Sequence, residues 1–300
     1  MKNKKAPKGT TVLIGPMGVG KSLLARELSK KTGMPVLQLD LMRHCPKSIK
    51  DIERVEHDVI LDIVDIREEL DNAGDSLSKE ARKNLLETLE TKENFVSVCE
   101  RRKKLRAQYP NLPNYEDFGF KMSEEVGLIN RAKECGMDPN IIWSYYQKFY
   151  EIELLKQVPF HLTEPVILDM GGGVPVVLQK EFERCENRIK LLMVSKSQLR
   201  SVVPYTPSEM QVELNKAFES FDKSNIVSLH LPEGYEAQDR RSARDKLTAG
   251  FIASGQYDER AGVMVDTTGM VLADHNINQE VVSSVADSII EKTNIQSACQ

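Results

Sequence analysis

An α/β fold, a parallel sheet covered by helices on both faces, is what this sequence predicts, and three observations predict it. Short apolar, β-branched runs alternate with stretches of helical periodicity in two regions of the chain. The first run passes through a glycine-rich turn directly into a helical pattern. A later run ends in a carboxylate followed by three glycines. With 300 residues, the chain has room for one such core and a sizeable excursion from it.

Thr10–Ile14, bounded by Gly9 and Gly15, reads as a buried parallel strand. From Gly20 to Thr32 the period becomes helical, with Leu23, Leu24 and Leu28 on one face and Gly33 as a stop. Val36–Leu39 is a second strand that runs out at Asp40. Between about Cys45 and Pro159 charged residues dominate, and apolar ones (Val55, Val59, Ile63, Ile66; Leu85, Leu86, Leu89) keep helical spacing. Glu124–Val158 predicts two further helices, with Pro110, Pro113 and Pro139 at the breaks. Strands resume at Pro165–Asp169, Ile189–Val194 and Ala261–Asp266. A last helix spans Asn278–Lys292, with Val281, Val285 and Ile289 on one stripe. The expected organisation is residues 1–44 as the first part of a core, 45–159 as a helical insertion and 160–300 as the second part.

Gly15, Pro16, Met17, Gly18, Val19, Gly20, Lys21 and Ser22 satisfy G-x-x-x-x-G-K-[ST] in full, between a predicted strand and a predicted helix. Glycines let backbone N–H groups turn toward phosphate oxygens, and the first helical turn, Leu23 included, offers its positive end to the same anion. Lys21 is expected to reach the β- and γ-phosphates and Ser22 to ligate Mg²⁺. The fold expected is therefore the three-layer P-loop NTPase or kinase fold, binding a nucleoside triphosphate. No guanine-reading N-K-x-D segment is visible, which favours ATP. Asp40 faces the phosphates or an acceptor hydroxyl, or serves as a turn former; spacing leaves these open. Val166–Asp169 has the form of a strand whose terminal carboxylate holds Mg²⁺. Gly171, Gly172 and Gly173 remove all side chains at that strand end, so that another molecule can approach the backbone, or simply make a tight turn.

Composition excludes other classes. A formal net charge of −4 gives no general drive toward nucleic acid or an anionic membrane. No apolar run approaches the roughly 18 residues that span a bilayer. The basic start, Met1–Lys8, runs into a strand without an apolar region and is not expected to act as a secretory signal. The five cysteines are scattered without a C-x-x-C pair, which predicts free thiols, a reducing compartment and a cytoplasmic setting. The basic run Glu100–Arg106 reads as a solvated helix face, and Tyr145, Tyr146, Phe149 and Tyr150 around Trp143 read as packing.

Leu13–Leu28 (LIGPMGVGKSLLAREL) with Asp40 downstream resembles the opening of shikimate kinases. Gly171–Gly173 after an apolar strand resembles that family's acceptor-contacting glycines, and Leu191–Ser195, an arginine-rich segment and Tyr257–Thr267 resemble its later strand, lid and final strand. The resemblance covers roughly Gly9–Arg43 and Pro159–Lys292. It implies an acceptor-binding, base-like role for Asp40, acceptor contacts at Gly171, Gly172 and Gly173, and a lid arginine among Arg240, Arg241 and Arg244 that stabilises charge on the transferring group. The family has a second aspartate where this chain has Gln38, and arginines where it has Tyr150 and Ala253. An acceptor carboxylate would lose both bidentate partners, so the expected acceptor is a small hydroxylated metabolite other than shikimate. Asp169 is expected to take the metal role vacated at Gln38. The alternative is a catalytically impaired nucleotide-binding module. The insertion is open to use as a lid, an acceptor pocket or a surface that docks a protein partner.

Overall fold

Five short parallel strands carry the core: β1 (Thr11–Ile14), β2 (Val36–Gln38), β3 (Ile167–Asp169), β4 (Ile226–His230) and β5 (Val263–Asp266), in the order β2-β3-β1-β4-β5. The computed structural model describes residues 4–73, 76–134, 136–192, 196–230, 243–270, 276–293 and 295. The helices are α1 (Lys21–Thr32), α2 (Leu39–Met42), α3 (Ile49–Ala73), α4 (Lys79–Gln108), α5 (Met122–Glu134), α6 (Pro139–His161), α7 (Gln179–Leu192), α8 (Lys196–Val202), α9 (Pro207–Phe218), α10 (Ala243–Ala253), α11 (Gln256–Arg260) and α12 (Gln279–Lys292). This is the α/β, three-layer P-loop fold expected from the strand–turn–helix pattern. Among the described residues no helix is long and apolar enough to cross a membrane.

Every residue of β1 and β3 is buried, as strands covered on both faces must be. β1 lies between β3 and β4, in register Leu13 with Asp169 and Ile14 with Ser228. Leu13, Leu24, Leu28, Ile167, Val227, Val265, Val282 and Ile289 form one buried cluster under α1 and α12, each such side chain contributing roughly 1.5–3 kcal/mol. Helix α1 stops where expected: Gly33 takes a left-handed conformation (φ 71°), and its N–H returns to Ser29 O. Asn278 caps α12 through its side chain, which accepts from Val281 N–H.

One expected strand is not a strand. Residues 189–192 of the Ile189–Val194 run close helix α7, and 193–195 lie outside the described residues. Phe182, Cys185, Glu186 and Ile189 are buried at helical spacing, and this stripe outweighs the short apolar run. The place beside β1 belongs to Ile226–His230, which the sequence reading passed over.

The chain divides into two compact units, Met1–Asp40 with Tyr115–Gln300, and Leu41–Asn114. Of the stretch expected as an insertion over 45–159, residues up to 114 form the separate unit, and the rest belongs to the unit that contains the sheet. The smaller unit is an antiparallel pair, α3 on α4, bridged by Arg67–Glu93 (2.7 Å), Lys92–Asp62 (2.6 Å) and Lys103–Glu56 (2.8 Å). The basic run is not a solvated face throughout. Arg102 and Arg106 are buried; Arg102 donates to Leu41 O (3.1 Å), and Arg106 donates to Pro46 O (2.9 Å), Cys45 O (3.3 Å) and Leu112 O. Carbonyls of an irregular segment need donors once buried, and the two guanidinium groups supply them.

In the larger unit, Asp138 caps α6 and Pro139 begins it. Tyr150 stacks on Tyr115 (5.7 Å, 26°) and meets Phe120 (5.2 Å) and Tyr146 (5.4 Å) edge-on. The aromatic cluster is packing, as its spacing suggested. Cys45, Cys99 and Cys185 are buried free thiols.

Candidate functional site

The loop between β1 and α1 is shaped by three glycines at positive φ: Gly15 (142°), Gly18 (80°) and Gly20 (91°). At Gly15 a Cβ would also lie 2.6 Å from Leu229 O, because β4 presses against the loop as it leaves the sheet. Gly20 is the N-cap of α1, and no side chain caps the helix there. Leu23 N–H and Leu24 N–H both donate to Gly20 O (3.0 Å each), so the amides of Lys21 and Ser22 are the ones left to an anion, toward which the helix end is positive.

Lys21 is buried and folds back on the loop, its Nζ donating to Gly15 O (2.9 Å) and Pro16 O (2.7 Å). Burial lowers its pKa to about 8, against the opposing pull of Asp169 and Asp40. An incoming phosphate would replace two neutral carbonyls with a charged partner. Next to it, Ser22 Oγ donates to Asp169 Oδ2 at 2.6 Å, and Gln38 Nε2 donates to the same oxygen at 2.9 Å. The sheet dictates this meeting, since Leu13 and Gln38 are both in register with Asp169. An aspartate at 38 would set two carboxylates against each other; glutamine supplies a donor instead. A carboxylate and a hydroxyl are hard oxygen ligands of the kind Mg²⁺ takes in partial sets, with phosphate and water completing them. Among the described residues no group of three or more His, Cys, Asp or Glu could hold a metal ion.

Asp40 sits in the first turn of α2, just past the end of β2 at Gln38. It lies against the triple glycine: a Cβ on Gly171 would be 2.9 Å from Asp40 Cγ. A Cβ on Gly172 would be 2.8 Å from Met17 Cγ and 2.9 Å from Met17 N, inside the phosphate loop, and one on Gly173 would be 3.2 Å from Phe251 Cζ. The structure thus brings together Lys21, Ser22, Asp169, Asp40 and Gly171–Gly173. Tyr150, at the place of an expected arginine, is enclosed in the aromatic cluster. Arg240 and Arg241 lie outside the described residues, and so does the side chain of Arg244 on α10.

Sequence reasoning missed several residues here. Tyr257 donates its hydroxyl to Gly172 O, and Lys148 Nζ, fully buried, donates to Gly173 O at 2.6 Å. A signal for Lys148 was available, because it falls on the stripe of Tyr145, Ile152 and Leu155 that α6 buries. At the end of β4, His230 Nε2 pairs with Asp258 Oδ1 (2.9 Å), to which Ser228 Oγ also donates (3.2 Å).

A sequence model of the ATPase family associated with various cellular activities (AAA) matches residues 11–108, from β1 to the end of α4. The match takes in the phosphate loop and the helical pair and leaves Asp169 and the triple glycine outside. No curated protein and no solved structure matches the chain. The glycine loop, the all-parallel sheet and the match agree on the coarse class: the fold is that of the P-loop NTPases, with the loop that binds nucleotide phosphates in place.

Proposed function

We propose that the chain transfers the γ-phosphoryl group of ATP to a hydroxyl of a small metabolite other than shikimate. The observation that carries this reading is the contact of Asp40 and the glycine triplet with each other and with Met17 of the phosphate loop. This packing sets a carboxylate and a stretch of glycine backbone directly beside the phosphate loop, where an acceptor hydroxyl must lie for transfer.

Lys21 and the loop amides hold the phosphates, and Ser22 and Asp169 hold Mg²⁺. When bound, the metal neutralises charge on the phosphate oxygens. Asp40 orients the acceptor hydroxyl or takes its proton, and the glycine backbone, packed on Asp40 and Met17, offers its amides to the acceptor. One of Arg240, Arg241 and Arg244 contributes a guanidinium to the closed site. Catalysis in such a site is positioning plus electrostatics, with little covalent work for the protein.

A second reading has an observation of its own. Unit Leu41–Asn114 is a separate compact body whose α3 and α4 expose Ile60, Leu61, Val64 and Leu86, as a surface that docks a protein partner would. On that reading the chain is a nucleotide-binding module. Turnover of ATP with Mg²⁺ against a panel of hydroxylated metabolites, shikimate included, separates the two, with Lys21→Ala as control. Stimulation by one compound, abolished in the variant, supports the phosphotransferase. Tight ATP binding with no stimulated turnover across the panel counts against it and favours the module.

A further inference from the structure

The backbone after β3 is held by its carbonyls. Gly172 O accepts from Tyr257, Gly173 O and Val174 O from Lys148 (2.6 and 3.4 Å), Pro175 O from Arg260 (2.7 Å) and Val177 O from Gln256 (2.9 Å). Gln256 also accepts from Val177 N–H at 3.1 Å. Four of the five carbonyls lie within a run of four residues, and each of these side-chain donors comes from α6 or α11.

Lys148 is the costly member. Its side chain has no exposure, and its charge is balanced by Glu151 at 2.5 Å. Burying an ammonium costs several kcal/mol unless its protons are all engaged, and an apolar residue would suit this stripe of α6 better. What the lysine adds is a second, charged donor to Gly173 O, which already accepts from Val176 N–H at 3.2 Å, and a longer bond to Val174 O. A peptide unit is planar and trans, so its N–H points opposite its C=O. Fixing Gly172 O on Tyr257 therefore turns the N–H of Gly173 away from Tyr257, and that N–H has no hydrogen-bond partner among the described residues.

We infer that Lys148, acting with Tyr257, is a positioning residue that holds the glycine loop so that the Gly173 N–H stays available to an oxygen of the acceptor. The inference rests on the phosphotransferase reading for its consequence and on hydrogen-bond geometry for its mechanism, so the two are tested separately. Hydrogen exchange of the full chain with Mg²⁺ and ADP reads the mechanism. In Lys148→Met/Glu151→Gln, which leaves no lone buried carboxylate, amides of Gly171–Val177 should exchange about ten-fold faster. ADP affinity should stay within about two-fold, because neither residue touches the phosphate loop. With the best acceptor of the panel, KM should rise about ten-fold while kcat moves far less, and Lys148→Arg should recover part of the loss. Exchange at the wild-type rate overturns the inference, and so does a lower melting temperature with KM unmoved. If no compound stimulates the wild type, the phosphotransferase reading fails, and the exchange rates alone decide whether the loop is held as described. Should the double variant fail to fold, Lys148→Gln, a neutral donor able to reach one carbonyl, must show intermediate exchange; wild-type exchange in it overturns the inference equally.

Discussion

The two glycine loops of the crevice, Gly15–Ser22 after β1 and Gly171–Gly173 after β3, use the same residue for different reasons. In the phosphate loop the glycines stand at positive φ, and the backbone itself makes the anion cradle. None of the triplet is at positive φ; its glycines are needed because Asp40, Met17 and Phe251 occupy the space of a Cβ. The first loop needs glycine for its conformation, and at Gly15 for close approach as well; the second needs it for close approach alone. The backbone of the phosphate loop is set by its own positive-φ glycines, with Leu229 pressed on Gly15 as an added constraint, whereas the second loop depends on donors from α6 and α11.

The largest effect should separate the two loops outright. Lys21→Ala removes the one buried cation of the phosphate loop, and charge-assisted bonds of that kind are worth about 1.5–3 kcal/mol each. Affinity for a fluorescent ATP analogue should fall about 100-fold, while the melting temperature of the nucleotide-free protein should not drop, since a partly desolvated charge has been removed. A fall in stability with affinity retained would break the comparison.

Gly172→Ala asks the same of the second loop. The backbone there accepts an L-residue, so the cost is steric: the new Cβ meets Met17 N at 2.9 Å, and that atom cannot move without the phosphate loop. A loss of about 1–3 kcal/mol in stability is expected, with acceptor-stimulated turnover falling at least ten-fold. An enlarging Met17 substitution should aggravate it. Turnover and unfolding curves identical to wild type would show that the loops are not in contact in solution.

How much of this could be read in advance follows from the same difference. The phosphate loop, α1, Gly33 as its stop, Asp169 and the α12 cap at Asn278 are local signals, written in consecutive residues. The strand at Ile226–His230 lost to Ile189–Val194, which is as apolar; only the buried stripe Phe182, Cys185 and Ile189 assigns the latter run to a helix. The limit of the separate unit at Asn114 was illegible because charged helices continue on both sides of it. The partners of Tyr257 and Lys148 were out of reach for a further reason, although the place of Lys148 on the buried stripe of α6 was legible. These carbonyls lie 85 and 25 residues away, and a hydrogen bond to a carbonyl leaves no side-chain pattern to recognise.

A pH titration sharpens the description of the phosphate loop. Lys21 has a pKa of about 8 in the free protein, below its ordinary 10.5, and phosphate oxygens raise it again. Binding ATP above pH 8 therefore takes up a proton, and affinity should fall toward ten-fold per pH unit there. Below pH 8 both states are protonated, and this source of pH dependence vanishes. The nucleotide-free fold shows the opposite sign. Between about 8 and 10.5 the unfolded chain binds more protons than the folded one, so Lys21 makes stability rise across that window. Calorimetry in buffers of different ionisation heat counts the proton directly, and Lys21→Met should abolish both trends.

The smallest effect is the most specific to the second loop. Tyr257→Phe keeps the buried ring and deletes only the hydroxyl that holds Gly172 O. An unsatisfied buried carbonyl costs about 1–3 kcal/mol, less here because the loop can relax toward water. Two consequences should appear together: a melting temperature lower by a few degrees and an acceptor KM raised about five-fold, with ATP affinity unchanged. Because Phe cannot donate at any pH, the effect should also be constant from pH 6 to 9, unlike anything that acts through Lys21. A variant that weakened ATP and acceptor alike would mean that the two loops move as one body, and the distinction between glycine for conformation and glycine for approach would have no functional meaning.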